Sequence, residues 1–268
     1  MGADTKALRG RIKSVDSTLH LTKAMGLVAS SKMRRATAAM LNGREYAAAF
    51  EQLMRLLIAC PACEKSPYMA IRDGGRTRLI VIAGDRGMAG GYNANVFRLA
   101  ATLEEAELLP IGKRACERYG GEIYSSEDLT SAEAAVMAEE LCRDFAEGKY
   151  DRLGIVSTRY VSMMTQEAEV SWVLPLNAAD GKEPVDALFE PDAEMVLTAA
   201  VPEYVAGRLV AALRESFACE VAARRTAMDA AGKNARQMID ELQLEYNRAR
   251  QGAITQEITE IVAGSGME

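Results

Sequence analysis

All seven prolines of this 268-residue chain, at positions 61, 67, 110, 175, 184, 191 and 202, lie between residues 61 and 202. Proline inside a helix removes a hydrogen bond and costs about 3 kcal/mol. The two proline-free ends, from about residue 4 to 58 and from 203 to about 262, can therefore each form one long helix, and their Ala, Leu, Met, Arg and Lys content favours it. Glycines at 10, 26, 43, 207, 232 and 252 weaken these helices without breaking them. At about 1.5 Å per residue such helices run roughly 80–90 Å, whereas a compact segment of about 145 residues has a radius of gyration of only ~15 Å. Two helices of that length leaving one folded middle pair most simply as an antiparallel coiled coil. Leu8, Ile12, Val15 and Leu19 step by four, three and four along a seam in the first helix. Val205, Leu209, Ala212, Leu213 and Phe217 do the same in the second, and Ile254, Ile258, Ile261 and Val262 form a stripe at its far end.

Between the helices the pattern alternates. RTRLIVIAG (76–84) is a β-branched run closing on glycine, and NANVFRLAATLEEAELL has helical spacing. AELLPIGKRA returns a short strand, AEAAVMAEELCRDFAEGKY a helix, and DRLGIVSTRYVS and EAEVSWVLPL two further strands. This order predicts an α/β layer with mostly parallel strands. The expected division is a helix over 1–60, an α/β domain over 61–202 and a helix over 203–268.

The first helix contains TKAMGLVASSKMRRA (22–36), which has no dry stripe. With Lys23 as zero and about 100° per residue, Leu27 falls near 40°, Val28 near 140°, Met25 near 200° and Met33 near 280°. Arg34, Arg35 and Lys32 interleave with them at about 20°, 120° and 180°. A surface helix ordinarily has one wet and one apolar face, so this stretch is built to meet partners on several sides.

Charge is uneven. Residues 1–58 hold ten Lys and Arg against four Asp and Glu, a net +6, while 59–202 hold fourteen against twenty-four, a net −10. A basic arm can bind nucleic acid, but no aromatic residue interleaves the cations before Tyr46, so the stacking platforms of single-strand binders are missing. An acidic protein partner suits the spread cations. No apolar run of about 18 residues and no secretion-signal core is present, and five cysteines, an odd number, do not suggest a disulfide framework.

Candidate chemistry is sparse. GDRGMAGGYN (84–93) follows a strand and precedes a helix, where glycine-rich loops cradle phosphates. It lacks the GKS or GKT ending and the GxGxxG spacing, and a tight turn with positive φ at Gly87, Gly90 or Gly91 is the better account. CPAC (60–63) matches the CxxC of thiol redox sites, though no strand directly precedes it and no second CxxC exists for zinc; packing at the helix end is the plainer reading. His20 is the only histidine, which removes the common nucleophile–imidazole and His-rich metal schemes. Glu104–Glu105 and Glu139–Glu140 read as solvated helix faces. Near the C-terminus, Asn247, Arg248, Arg250 and Gln251 set polar forks beside Ile254, Ile258 and Ile261, an arrangement suited to a partner's carboxylates and carbonyls.

These stretches resemble the gamma-subunit family of F-type ATP synthases. The pattern I-x-S-V-x-x-T-x-x-x-T-K-A-M-x-x-V-A-x-x-K-M-R-R-A runs from Ile12 to Ala36, and Y-N-R-x-R-Q-x-x-I-T-Q-E-I-x-E-I-V from Tyr246 to Val262. The family's S-D-R-G-L-C-G-G-x-N stands at 84–93 with Gly84, Met88 and Ala89 substituted, and EPDAEMVLTAAVPEYVAGRLVAALRES and TAMDAAGKNA match further. The resemblance implies an antiparallel coiled coil with a Rossmann-like α/β domain, working as the central rotor shaft inside a ring of alpha and beta subunits. It implies a foot on the rotor ring of c subunits with the epsilon subunit beside it, peripheral to the cytoplasmic face of a bacterial plasma membrane. By the same resemblance Lys23, Met25, Arg34, Arg35, Arg250, Gln251, Ile258, Ile261 and Val262 contact the beta subunit, and the chain has no catalytic site, cofactor or metal of its own. Departures from the family are Gly26, Gly232 and Gly252 in place of ordinary helix formers and Arg225 in place of Met, which suggest a torsionally softer shaft.

Overall fold

The structure, a computed structural model, describes residues 2–72, 74–103, 105–121, 124–177, 180 and 187–265. Glu104, Pro184 and the last three residues of the terminal SGME lie outside the described residues. The elements run α1 (Gly2–Ile58), a 3₁₀ turn (Pro61–Cys63), a second (Pro67–Met69), β1 (Thr77–Ile82), α2 (Tyr92–Ala100), β2 (Glu107–Ile111), α3 (Lys113–Tyr119), α4 (Ser131–Ala146), β3 (Arg152–Tyr160), β4 (Gln166–Leu174) and α5 (Ala193–Ser265). The chain divides into two compact units, one of residues 1–30 with 225–268 and one of residues 31–224.

In the unit of residues 31–224 the strands form one sheet in the order β2-β1-β3-β4. β1 pairs in parallel with β2 and β3, and β4 runs antiparallel to β3. Successive side chains of a strand point to opposite faces, and β1 uses both. Leu79 and Val81 pack with Val96 and Ala100 of α2 and Val156 of β3. Ile80 and Ile82 face a larger core with Phe145 and Leu141 of α4, Met54 and Leu57 of α1, and Leu197, Val201, Val205 and Leu209 of α5. A strand covered on both faces reads as a continuous apolar run, which is why LIVI carries no alternation. α4 starts from a capping box in which the Thr130 hydroxyl accepts the Glu133 N–H at 3.2 Å and Glu133 Oε2 accepts the Thr130 N–H at 2.8 Å.

Two sequence expectations shift. α5 begins ten residues before 203, with Pro202 inside it; the ring costs a backbone hydrogen bond, and the fully buried Leu197, Val201 and Val205 of those turns offset the loss. By length and composition α5 is also apolar enough to cross a membrane, and its Leu197, Val201, Val205 and Leu209 are buried in the core beneath the sheet. α3 was not expected: it is one short helix entered at Gly112, whose φ is 95° and where a Cβ would stand 1.9 Å from the Ala83 carbonyl oxygen, so only glycine fits.

In the unit of residues 1–30 and 225–268 the ends of α1 and α5 pair antiparallel. As α1 runs from Arg9 through Thr22 to Gly26, its neighbours on α5 recede from Tyr246 through Gly232 to Met228. The covered positions of α1 are Thr5, Leu8, Ile12, Val15, Leu19, Thr22, Gly26 and Ala29. Those of α5 are Met228, Gly232, Ala235, Ile239, Leu242, Tyr246, Ala249 and Ala253. Both series step by threes and fours, the spacing of a coiled-coil seam. The Arg9 guanidinium donates to the Tyr246 hydroxyl at 2.7 Å and lies 5.6 Å from its ring centroid. Arg225 is half-buried, and nothing in the structure explains its departure from Met.

Candidate functional site

The seam sets the frame for the rest of the helix surface. On the wheel used above, the seam positions Leu19, Thr22, Gly26 and Ala29 centre near 280°, so Leu27 and Val28 stand roughly 120–140° away, on the side turned from the partner helix. They are 73% and 57% exposed. Leu21 and Leu244 are likewise exposed; the sequence reading singled out neither, and a wheel centred on the seam finds both. Large apolar groups thus occur both on the seam and on the outward faces, so the absence of a dry stripe over 22–36 has a structural basis.

Of the nine residues the resemblance assigns to partner contact, Lys23, Arg250, Gln251, Ile258, Ile261 and Val262 are exposed on the paired ends, and Met25 is half-buried beside the seam. Arg34 and Arg35 belong to the other unit and are also exposed there. The structure does not gather the first seven into one cluster. Lys23 and Met25 lie opposite about residue 230, so Arg250 and Gln251 sit some 20 residues, roughly 30 Å, further along. By the same register Ala253 stands opposite the start of α1. Ile254, Ile258, Ile261 and Val262 lie beyond it, with Ile258 55% and Ile261 70% exposed.

GDRGMAGGYN is a structural turn. Gly90 adopts φ 58°, as does Met88, whereas Gly91 stays at −84°. Asn93 Oδ1 accepts the Gly84 N–H at 2.9 Å, and Asn93 Nδ2 donates to the Arg86 carbonyl at 3.3 Å. The Asp85 carboxylate accepts the N–H groups of Lys113 (3.0 Å), Ser126 (3.1 Å) and Glu127 (3.2 Å) and the Ser125 hydroxyl (2.7 Å). Burial alone would raise this carboxyl, but the four donors hold it below its usual value. A side chain of the protein itself satisfies these amides, which sit at the start of α3 and in the 125–128 turn. His20 lies 3.7 Å from Asp16 on an exposed face of α1. Glu139 and Glu140 are exposed on α4. Among the described residues no cluster of His, Cys, Asp and Glu could hold a metal ion.

Comparison with known proteins places these features in one family. The family described as ATP synthase matches residues 4–266. The ATP synthase gamma chain of Ruminococcus albus is 40% identical over 287 aligned positions, covering 98% of both chains. That of Moorella thermoacetica is 38% identical with the same coverage. Among solved structures, a chain of the Euglena gracilis mitochondrial ATP synthase (OSCP/F1/c-ring) superposes with a TM-score of 0.69 at 18% identity, covering 98% of this chain and 94% of that one. A chain of the Tetrahymena thermophila mitochondrial ATP synthase central stalk/c-ring gives 0.63 at 23% identity, covering 79% and 99%. With paired terminal helices, a sheet of mainly parallel strands and near-complete alignment to these gamma chains, this chain belongs to the ATP synthase gamma chain family.

Proposed function

We propose that the outward faces of the paired helix ends are bearing surfaces that turn inside the ring of alpha and beta subunits. As a gamma chain, the protein is a central-stalk subunit of the ATP synthase, and the catalytic sites belong to the beta subunits. The observation that carries the bearing reading is the exposure of Leu21, Leu27, Val28, Leu244, Ile258 and Ile261 away from the seam. Large apolar side chains grouped on an outward face mark a protein-interaction surface, and a ring that surrounds the helices covers every azimuth at once.

In this reading Lys23 and Met25 meet the acidic lever segment of beta, Arg34 and Arg35 also contact beta, Arg250 and Gln251 hydrogen-bond a beta loop, and Ile258, Ile261 and Val262 run in an apolar bearing. An off-axis shaft shows a different side to each beta subunit, and that differential contact is what shifts each subunit's affinity for ADP, phosphate and ATP. The parts 1–60 and 203–268 serve as shaft and 61–202 as the foot, which rests on the c ring with epsilon beside it at the cytoplasmic face of a bacterial plasma membrane. Purification of a tagged chain from its native membrane tests the assignment: alpha and beta subunits and ATPase activity accompany it, whereas a chain that comes through the column without them contradicts the reading.

A further inference from the structure

Packing at the helix end accounts for the buried Cys63 of CPAC but not for the partly exposed Cys60. Cys60 follows the last turn of α1, and Cys63 closes the 3₁₀ turn begun by Pro61. The Cys63 N–H donates to the Cys60 carbonyl at 2.9 Å, a one-turn closure that keeps the two Cα atoms within about 7 Å, near the span of a disulfide. The two cysteines are not equivalent. Cys60 is partly exposed beside the exposed Pro61 and Ala62, whereas Cys63 is sealed at 0% exposure with its Sγ 3.4 Å from the Ala193 carbonyl oxygen. Burial, with Cys60, Glu194 and Asp192 nearby, pushes the Cys63 thiol up to about 11. At Cys63 the reduced form therefore draws no stabilisation from a thiolate that the disulfide would forfeit. The other three cysteines, Cys116, Cys142 and Cys219, are buried.

We propose that Cys60 and Cys63 form a reversible dithiol–disulfide pair, with Cys60 the attacking thiol and Cys63 the resolving one, oxidised by a small disulfide of the glutathione class. The Cys60 thiolate attacks one sulfur of glutathione disulfide, the S–S bond breaks, and one glutathione leaves as its thiolate. Cys63 gives its proton to that departing thiolate or to water and attacks the Cys60 sulfur, and the second glutathione leaves with the bonding pair and is protonated. Two protein thiols are oxidised and one glutathione disulfide is reduced to two thiols. Once in the disulfide, Cys63 Sγ has no hydrogen to donate, so its bond to Ala193, the first residue of α5, is lost. The redox state of the pair is thereby registered where the end of α1 meets the start of α5.

The full chain is incubated with glutathione disulfide, quenched in acid, unfolded and labelled with N-ethylmaleimide. Labelled thiols fall from five to three, no glutathione is retained, and dithiothreitol restores five. Cys63→Ala instead keeps one glutathione on Cys60, and Cys60→Ser takes up none and keeps its remaining thiols. A stable glutathione adduct on wild-type Cys60, or five labelled thiols at oxidant levels that modify Cys63→Ala, overturns the proposal. Should Cys63→Ala fail to fold, the wild-type peptide carrying residues 60–63 decides: a mass lower by two hydrogens supports the pair, and an unaltered mass or a link to another cysteine overturns it.

Discussion

The Glu220 carboxyl group fills the space in front of Gly84: a Cβ on residue 84 would stand 2.6 Å from the Glu220 carboxyl carbon. Glu220 is buried, and Arg224, one turn along α5, both pairs with it and donates to the Gly87 carbonyl at 3.2 Å. The carboxylate is therefore pinned and cannot swing away freely. Gly84→Ala should cost about 1–3 kcal/mol by overpacking, and Gly84→Ser less, because its hydroxyl can donate to the carboxylate. Urea unfolding of both variants, alone and with Glu220→Ala, checks this; the Gly84→Ala cost should largely vanish in the Glu220→Ala background, and a cost that persists there contradicts the contact.

Asp85 supplies a pH signature. Because its folded carboxyl titrates below the ordinary value of about 3.9, it contributes stability at neutral pH that is lost as pH falls through the folded value. Asp85→Asn should cost about 1–3 kcal/mol at pH 7. Denaturation of wild type and variant between pH 7 and 3 should show the gap closing toward pH 3; a gap independent of pH would mean that the carboxylate charge is not what the turn uses.

The helix glycines are open to filling. A Cβ at Gly26 meets nothing nearer than 3.6 Å, one at Gly232 nothing nearer than 3.6 Å, and one at Gly252 nothing within 4 Å. Each change to Ala should stabilise its helix by up to about 1 kcal/mol. If these residues soften the shaft, single-molecule rotation with a reconstituted ring should show a stiffer rotor in each variant, and unchanged stiffness would reject the softening.

The seam and the outward face should respond oppositely to substitution. Leu242→Ala, at a buried seam position, should cost about 2–3 kcal/mol of stability and speed amide exchange in the paired ends. Leu27→Ser, on the outward face, should stay within about 0.5 kcal/mol in the isolated chain yet weaken ring association. Exchange mass spectrometry and co-sedimentation with alpha and beta separate the two effects.

The confinement of prolines made both long helices legible, and the β-branched run 76–84 made the central strand legible. The start of α5 was not, because the proline rule carries no information about the buried Leu197, Val201 and Val205 that hold Pro202 in a helix. On α1 the seam stood out through Leu8, Ile12, Val15 and Leu19. On α5 it is written largely in Gly232, Ala235, Ala249 and Ala253, small residues that let helices approach but raise no apolar signal; a search for three–four spacing that admits Ala and Gly would have found it. The site was legible only as a list of positions, since which faces turn outward depends on that seam.

The most direct test of the bearing reading places a photo-crosslinking amino acid at one position at a time in the active, membrane-bound complex. At Leu27, Arg250 or Ile258 the account predicts adducts to beta or alpha subunits, and at Leu19, on the seam, adducts only within the chain. An active complex in which Leu27 and Ile258 capture no ring subunit would contradict it.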